Sequence, residues 1–463
     1  MRSKGIFRNL AIPAIVASAI VVLFSMLTAI LYAPINADAS YYLAIPRLIM
    51  DGYAPFRDFA LSYTPLSFYM MCLPRFLFGD SFGISMAFLY VAQIVNIFLV
   101  KRLCDRYTDS ALMSWLYAML FALASLCLDG QKYVLEPFVL MFGLSALLVL
   151  ETNRDSCIAV ISAGLLCFCS FMCKQYGLGF ICMSVVWVAL NAGTNRIIIK
   201  TEVRLIAGFV IGMLLSLFLA ALNRIPIENI ITLAGSDYAR HGIRGLVSGW
   251  MKLIFVLPAL LFAVVVAISN IKDALKDKVL ICSVLGMAGY SIPLLVRSYR
   301  HYLLLIIPFG IMLIAAAAGL FKRDKWKSRF EFFVLLTLLI PMVQLAIKDC
   351  HMISSDERTA QINLAAELSE AVPVGTKDVF VSFPLLAESF INQYLPPKMD
   401  KYGMSNGFVE DEESVLDMMS EAEYIVFTTE NEYSTEIETY IQDNYMRILD
   451  SSANFQIFKR CLK

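Results

Sequence analysis

Residues 10–40 read LAIPAIVASAIVVLFSMLTAILYAPINADAS. The stretch 10–32 carries no charge, and its length suits a helix crossing the roughly 30 Å hydrocarbon core of a bilayer. It is too long and too aromatic at its end for a cleaved signal peptide, and no A-x-A site follows it. Asp38 then stands where the chain leaves the apolar run. Ten further apolar runs follow, at about 83–100, 110–128, 133–150, 157–173, 176–192, 205–222, 250–269, 279–296, 302–320 and 330–347. They predict a polytopic α-helical membrane protein with about eleven transmembrane helices.

Composition agrees. Of 463 residues, 59% are hydrophobic and only 16% charged, against the roughly 25% charged residues of soluble domains. A soluble chain could not hide that much apolar surface, and disorder, a collagen-like rod and a coiled coil are excluded on the same grounds. The zero net charge conceals an asymmetry. Residues 1–347 hold 29 Lys and Arg against 17 Asp and Glu, and residues 348–463 hold 9 against 21. We therefore expect two bodies: a basic membrane domain, 1–347, and an acidic extracytoplasmic domain, 348–463. Basic residues scattered between spans give no nucleic-acid footprint.

The tail reads as a small α/β domain. Residues 354–371 have helical spacing, Val374-Gly375 marks a turn, and 378–383, 423–428 and 455–459 read as strands. Segments 385–393, 412–420 and 432–444 read as helices. Cys350 and Cys461 are its only cysteines, and either a bridge or two free thiols fits the spacing. Most of the eleven cysteines lie inside apolar runs, where a small packing residue is the ordinary reading, and no CxxC pair exists. No metal or other cofactor is expected: no two of His241, His301 and His351 have metal spacing.

Two outer loops are long, 33–82 and 223–249. The first is aromatic and contains a short interfacial helix around Tyr41–Ile49, with Asp38 or Ser40 as its cap. Walker A, GxGxxG and GxSxG motifs are absent. The first loop carries Asp38, then Asp51-Gly-Tyr-Ala-Pro-Phe-Arg57-Asp58-Phe59, then Tyr63-Thr-Pro65. Further along stand Glu136-Pro137, Lys174-Gln-Tyr-Gly177, and Arg300-His301-Tyr302 with Pro308.

In this order and spacing the motifs resemble the polytopic GT-C glycosyltransferases, namely the bacterial relatives of protein O-mannosyltransferases and of the lipid A aminoarabinose transferase. The resemblance implies a GT-C-like membrane domain with an outer C-terminal domain. It also implies transfer of a sugar from a polyprenyl-phosphate donor at the outer leaflet, with no general need for a metal. Asp38 matches the family's acidic residue, which deprotonates or orients the acceptor. Two departures stand out. Many members have Asp-Glu where this chain has Asp38-Ala39, and the aminoarabinose branch has Lys where this chain has Tyr63. The donor and acceptor of that branch are therefore not carried over.

The chemistry of the residues agrees with that activity. Transfer to a hydroxyl needs a carboxylate near the nucleophile and cations on the departing phosphate. Asp38 is the candidate catalytic residue; its other reading is a helix cap. Candidate substrate-binding residues are Arg57, Asp58, Tyr63, Glu136, Lys174, Arg297, Arg300 and His301. Arg297, Arg300 and His301 share a helix face if the helix continues, as do Arg240 and Arg244 around His241. The other reading of these cations is snorkelling to headgroups. Glu136, near a helix start, suits either a buried functional acid or a dipole partner. Asp129, seven residues earlier, faces the same cavity if the helix begins there.

The expected function is an inverting hexosyl- or pentosyl-type glycosyltransferase of the cell envelope. Its partners are a polyprenyl-phosphate sugar, a glycan, lipid or protein acceptor, and membrane lipid. The alternatives are a transporter or flippase of lipid-linked or anionic solutes, which should show repeats and broken helices, and a structural or polymer-assembly protein, which would not need Asp38. The location is the cytoplasmic (inner) membrane. With the N-terminus inside, cytoplasmic segments hold 18 of the 29 cations, including Lys101, Arg102, Lys322 and Arg323, and an odd span count puts the tail outside. Reporter fusions after Lys325 and after Asp356 should therefore report opposite sides; the same side for both would overturn this orientation.

Overall fold

The computed structural model describes the chain apart from residues 1, 36, 59–60, 62, 109, 192, 228–241, 297–298, 374–375, 377–378, 382–415, 417–418, 429–434, 451–454 and 462–463. The expected helices at 385–393 and, for the most part, 412–420 fall outside the described residues, as does the turn at Val374-Gly375.

Among the described residues, eight helices are long and apolar enough to span a bilayer. They include Phe7–Tyr32, Phe82–Cys104, Ala111–Gly130, Glu136–Asn153, Asn195–Leu222, Lys278–Val296 and Arg300–Gly319, and the last belongs to a helical run over Asp324–Ala371. The chain is a multi-pass membrane protein. Three of the eleven expected spans look different from their sequence reading. Runs 157–173 and 176–192 are the shorter helices Cys157–Cys173 and Gln175–Asn191. Run 250–269 is two helices, Gly242–Val256 and Pro258–Ser269, bent by 101°. Pro258 has no N–H to offer and its ring would strike the preceding turn, so the helix stops at Leu257, whose φ of −128° and ψ of 63° are not helical. With that bent pair counted once, the spans number up to nine.

The chain divides into two compact units. The first comprises Met1–Leu31, Met86–Leu217 and Tyr238–Ile353; the second comprises Tyr32–Ser85, Phe218–Asp237 and Ser354–Lys463. The boundary expected at 347/348 falls inside helix Leu339–Ser354. That helix continues because Asp349 is buried and hydrogen-bonded within the first unit.

Inside the first unit, the runs Ala111–Gly130 and Arg300–Gly319 form the most enclosed spans among the described residues, with 78% and 94% of their apolar windows buried. Apolar burial alone cannot hold helices together in lipid, so close packing must. Helices Cys157–Cys173 and Asn195–Leu222 cross at Gly164 and Gly208. A Cβ on Gly164 would strike the Leu205 carbonyl oxygen, and one on Gly208 would strike the Ile161 carbonyl oxygen. The two backbones touch because neither has a side chain there.

In the second unit, the expected interfacial helix is Ala37–Met50. Asp38 and Ser40 lie inside its first turn rather than before it. Helix Leu66–Phe78 packs against it, and Asp80 joins the two by pairing with Arg47 at 2.8 Å and with Arg75. The Gln361 side chain exchanges two 2.9 Å hydrogen bonds with the Ile35 backbone. This fastens helix Glu357–Ala371 to the segment after the first span.

The tail sheet has four strands: β1 Val379–Val381, β2 Tyr424–Thr428, β3 Tyr445–Asp450 and β4 Phe455–Arg460. Their order is β1-β2-β4-β3, parallel between β1 and β2 and antiparallel elsewhere. Strand β3 was not expected from the sequence; helix Thr435–Asn444 passes into it with no Gly or Pro to mark the change. Cys350 and Cys461 are both free thiols, exposed to solvent.

Gly208→Val should lower the unfolding temperature of the detergent-purified protein, because the β-branched group must displace backbone; overpacking of this kind costs about 1–3 kcal/mol. Gly289→Ala, where an added Cβ meets nothing within 4 Å, should leave it unchanged or raised. Equal behaviour of the two variants in a thermal melt would remove the close crossing from the account.

Candidate functional site

Helix Cys157–Cys173 ends at Lys174, whose backbone is extended, and a short turn, Gln175–Gly177, leads into the next helix. Gly177 makes this turn possible, since a Cβ there would collide with the Ser170 carbonyl. The turn directs Lys174 inward. Its side chain is only 1% exposed, and Nζ lies 2.7 Å from Oε1 of Glu136, which is fully buried. Glu136 begins helix Glu136–Asn153, with Pro137 beside it, so its carboxylate also meets the positive end of the helix. Glu136 is thus both a buried acid and a residue at a helix start, as the sequence suggested.

His301 approaches the same carboxylate oxygen, with Nε2 at 3.9 Å. Its ring stands edge-on to Tyr302, and the Tyr302 and Tyr176 hydroxyls are 3.4 Å apart. Lys174 Nζ sits 5.2 Å from the Tyr302 ring centroid and 5.8 Å from that of Tyr176, close enough for cation–π attraction. Three sequence-predicted residues, Glu136, Lys174 and His301, are therefore brought together from three separate segments.

A second set of charges belongs to the same unit. The end of helix Ala111–Ser125 opens into a π turn, Leu126–Gly130, in which Asp129 takes the left-handed φ of 70°. Asp129 pairs with Lys132 at 3.3 Å. Lys348, from helix Leu339–Ser354, feels the charges of Asp129, Lys132 and the exposed Arg300, and its Nζ lies 3.4 Å from the Leu126 carbonyl oxygen. Lys348 thus stands within electrostatic reach of one acid and two further cations. Sequence reasoning picked out Arg300 and Asp129 but missed Lys132 and Lys348. The available signal was a Lys-Asp pair at the end of an apolar run, read as the start of the polar tail.

In the second unit, Arg57 and Asp58 pair with each other. Arg57 Nε and Nη2 donate to the Asp58 carboxylate at 2.8 and 2.6 Å, and Ala54 N donates to it at 2.7 Å. The Arg57 bond, with the Ala54 N–H behind it, holds the Asp58 carboxyl below the usual carboxylate range despite partial desolvation. Arg57 Nη1 also reaches the Asn223 carbonyl at 3.2 Å, tying the loop to the end of a long helix. Tyr63 packs edge-on against Tyr42, with centroids 5.6 Å apart. Arg244 is exposed near the start of helix Gly242–Val256. Arg297, Arg240 and His241 lie outside the described residues, and of Asp38 only the backbone is described. No group of three or more His, Cys, Asp and Glu able to hold a metal occurs among the described residues.

No protein-family model matches the sequence, and no curated protein matches it. Solved structures do match. ArnT from Cupriavidus metallidurans in the apo state aligns with a TM-score of 0.67 and 11% identity, over 96% of this chain and 97% of that one. The same protein bound to undecaprenyl phosphate aligns with a TM-score of 0.61 and 10% identity, over the same shares. The archaeal oligosaccharyltransferase AglB from Archaeoglobus fulgidus, in complex with an inhibitory peptide and a dolichol-phosphate, aligns with a TM-score of 0.52 and 11% identity, over 97% and 74%. The chain has the GT-C fold. That likeness covers the membrane spans and the tail together, and the fold expected from the spaced motifs is the one observed.

Removing one member of the buried pair strands the other charge, which typically costs about 3–5 kcal/mol. Glu136→Leu and Lys174→Met should each lower the unfolding temperature in detergent, and the double variant should lose less than the sum of the two. Additive losses in a double-mutant cycle would show that the pair is not coupled.

Proposed function

We propose that this protein is an inverting glycosyltransferase. It moves a hexose or pentose from a polyprenyl-phosphate donor to a glycan, lipid or protein acceptor at the outer face of the cytoplasmic membrane, with the N-terminus inside and the tail outside. The observation that carries the reading is the set of cations in reach of Lys348, namely Lys132, which pairs with Asp129, and Arg300, on a chain with the fold in which ArnT was solved bound to undecaprenyl phosphate. A phosphate monoester or diester at a membrane surface suits such an excess of cations.

In the proposed step, the Asp38 carboxylate takes the proton of the acceptor hydroxyl. The acceptor oxygen attacks the anomeric carbon from the face opposite the phosphate. The bond from that carbon to the phosphate oxygen breaks, and its electron pair leaves with the polyprenyl phosphate. Arg300, with Lys132 and Lys348, stabilises the charge that gathers there. Lys174 and His301, organised by Glu136, together with Arg57, Asp58 and Tyr63, are assigned to substrate binding. A metal plays no part in this scheme.

One observation favours the alternative, a transporter or flippase of lipid-linked or anionic solutes: the 101° break between Gly242–Val256 and Pro258–Ser269. Transfer and transport separate cleanly in solution. Detergent-purified protein, given a lipid extract containing polyprenyl-phosphate sugars and candidate acceptors, should form a glycosylated product. Asp38→Asn should lower the rate by about 10²–10⁴ while the protein still folds. Arg300→Ala should weaken donor affinity by about 1.5–3 kcal/mol, the worth of a charged hydrogen bond. No product in detergent, combined with movement of the lipid-linked sugar across vesicle membranes, would favour the transporter.

A further inference from the structure

Asp349 is 1% exposed, and both of its carboxylate oxygens are engaged. Ser25 Oγ donates to Oδ2 at 2.5 Å from the first span, and Gln131 Nε2 donates to Oδ1 at 2.5 Å. Neither donor is charged. A buried carboxylate held by neutral groups is an expensive way to join helices when an apolar contact would serve. Its position explains the choice. Asp349 directly follows Lys348, and Gln131 directly precedes Lys132. The bond between Asp349 and Gln131 therefore joins the two segments that carry these cations.

Other bonds bind the same two segments. Cys127 Sγ lies 3.4 Å from the Pro341 carbonyl, and Lys348 Nζ lies 3.4 Å from the Leu126 carbonyl. The Gln131 backbone is held too, its carbonyl 3.5 Å from the Tyr90 hydroxyl. The turn itself has little freedom at Gly130, where a Cβ would strike the Ser125 carbonyl. Like charges at Lys132 and Lys348 repel, and without a tie their segments would move apart to relieve the repulsion.

We propose that Asp349 is a positioning residue. Through Gln131 and Ser25 it holds Lys132 and Lys348 at one anion-binding locus, where they receive the phosphate of a lipid-linked ligand. The assignment rests on the phosphate reading given under Proposed function. It works through hydrogen bonds to shape rather than through the charge of Asp349, so an amide of the same shape should serve.

The test uses the full-length protein in detergent, with undecaprenyl phosphate as probe, and two readouts. Equilibrium binding reports the locus, and hydrogen exchange of residues 126–132 reports the tie. Asp349→Ala should weaken binding about tenfold, in line with the loss of the hydrogen bonds that hold the two segments, and should speed exchange in 126–132. Exchange in helix Cys157–Cys173, which has no bond to Asp349, should not change. Asp349→Asn should retain both binding and slow exchange. If Asp349→Ala fails to fold, Gln131→Ala breaks the same bond from the other side and should show the same two effects. Wild-type affinity in a folded Ala variant would overturn the assignment and leave the phosphate reading standing. So would faster exchange throughout the protein, which would mark a merely structural residue. If the wild type binds no undecaprenyl phosphate, the phosphate reading itself falls. The tie then stands if exchange in 126–132 is faster in the Ala variant and not in the Asn variant, and is overturned if exchange is unchanged.

Discussion

A carboxylate cannot stay charged in hydrocarbon without a partner, and Glu136 is completely buried. Its partner, Lys174, has the same difficulty and the same remedy, an ion pair of 2.7 Å. Much of the first unit is arranged so that the two can meet. Glu136 must start its helix at the depth where Lys174 ends another, and the turn after Lys174 must close tightly enough to aim it inward. His301 must arrive from a third segment, the start of Arg300–Leu305. The Tyr176 and Tyr302 rings then cover the ammonium with polarisable faces rather than leaving it against aliphatic side chains.

Ordered polar contacts play a comparable part in the second unit. The segment after the first span is long enough to wander, yet it holds two helices. Asp80 draws Arg47 and Arg75 together, and Arg57 is shared between Asp58 and the Asn223 carbonyl. Each guanidinium has several donors in a fixed plane, so one such group can join two parts of a chain in a set geometry.

Membrane spans were legible because hydropathy alone identifies them; their continuity was not. The run around Leu257 and Pro258 is uniformly apolar, and composition does not register a bend. At Lys348-Asp349 the opposite happened. Charges at the end of an apolar run read as the beginning of the polar domain, yet Asp349 is among the least exposed residues of the unit, because its donors, Ser25 and Gln131, come from far along the sequence. In the site, Glu136, Lys174 and His301 were each visible as ionisable groups in an apolar setting, but their meeting at one oxygen was not. Strand β3 was hidden for a local reason: the sequence around Asn444 contains no residue that forbids the helix from continuing.

The crossing at Gly164 and Gly208 has a consequence for motion. Neither residue has a rotamer to immobilise, so the contact forms without the side-chain entropy loss of a larger pair. It also admits one register. Displacing either helix by a single residue brings Leu165 or Phe209 to a place where not even a methyl group fits. Helices Cys157–Cys173 and Asn195–Leu222 therefore cannot shear past one another, and any rearrangement must carry them as one rigid piece.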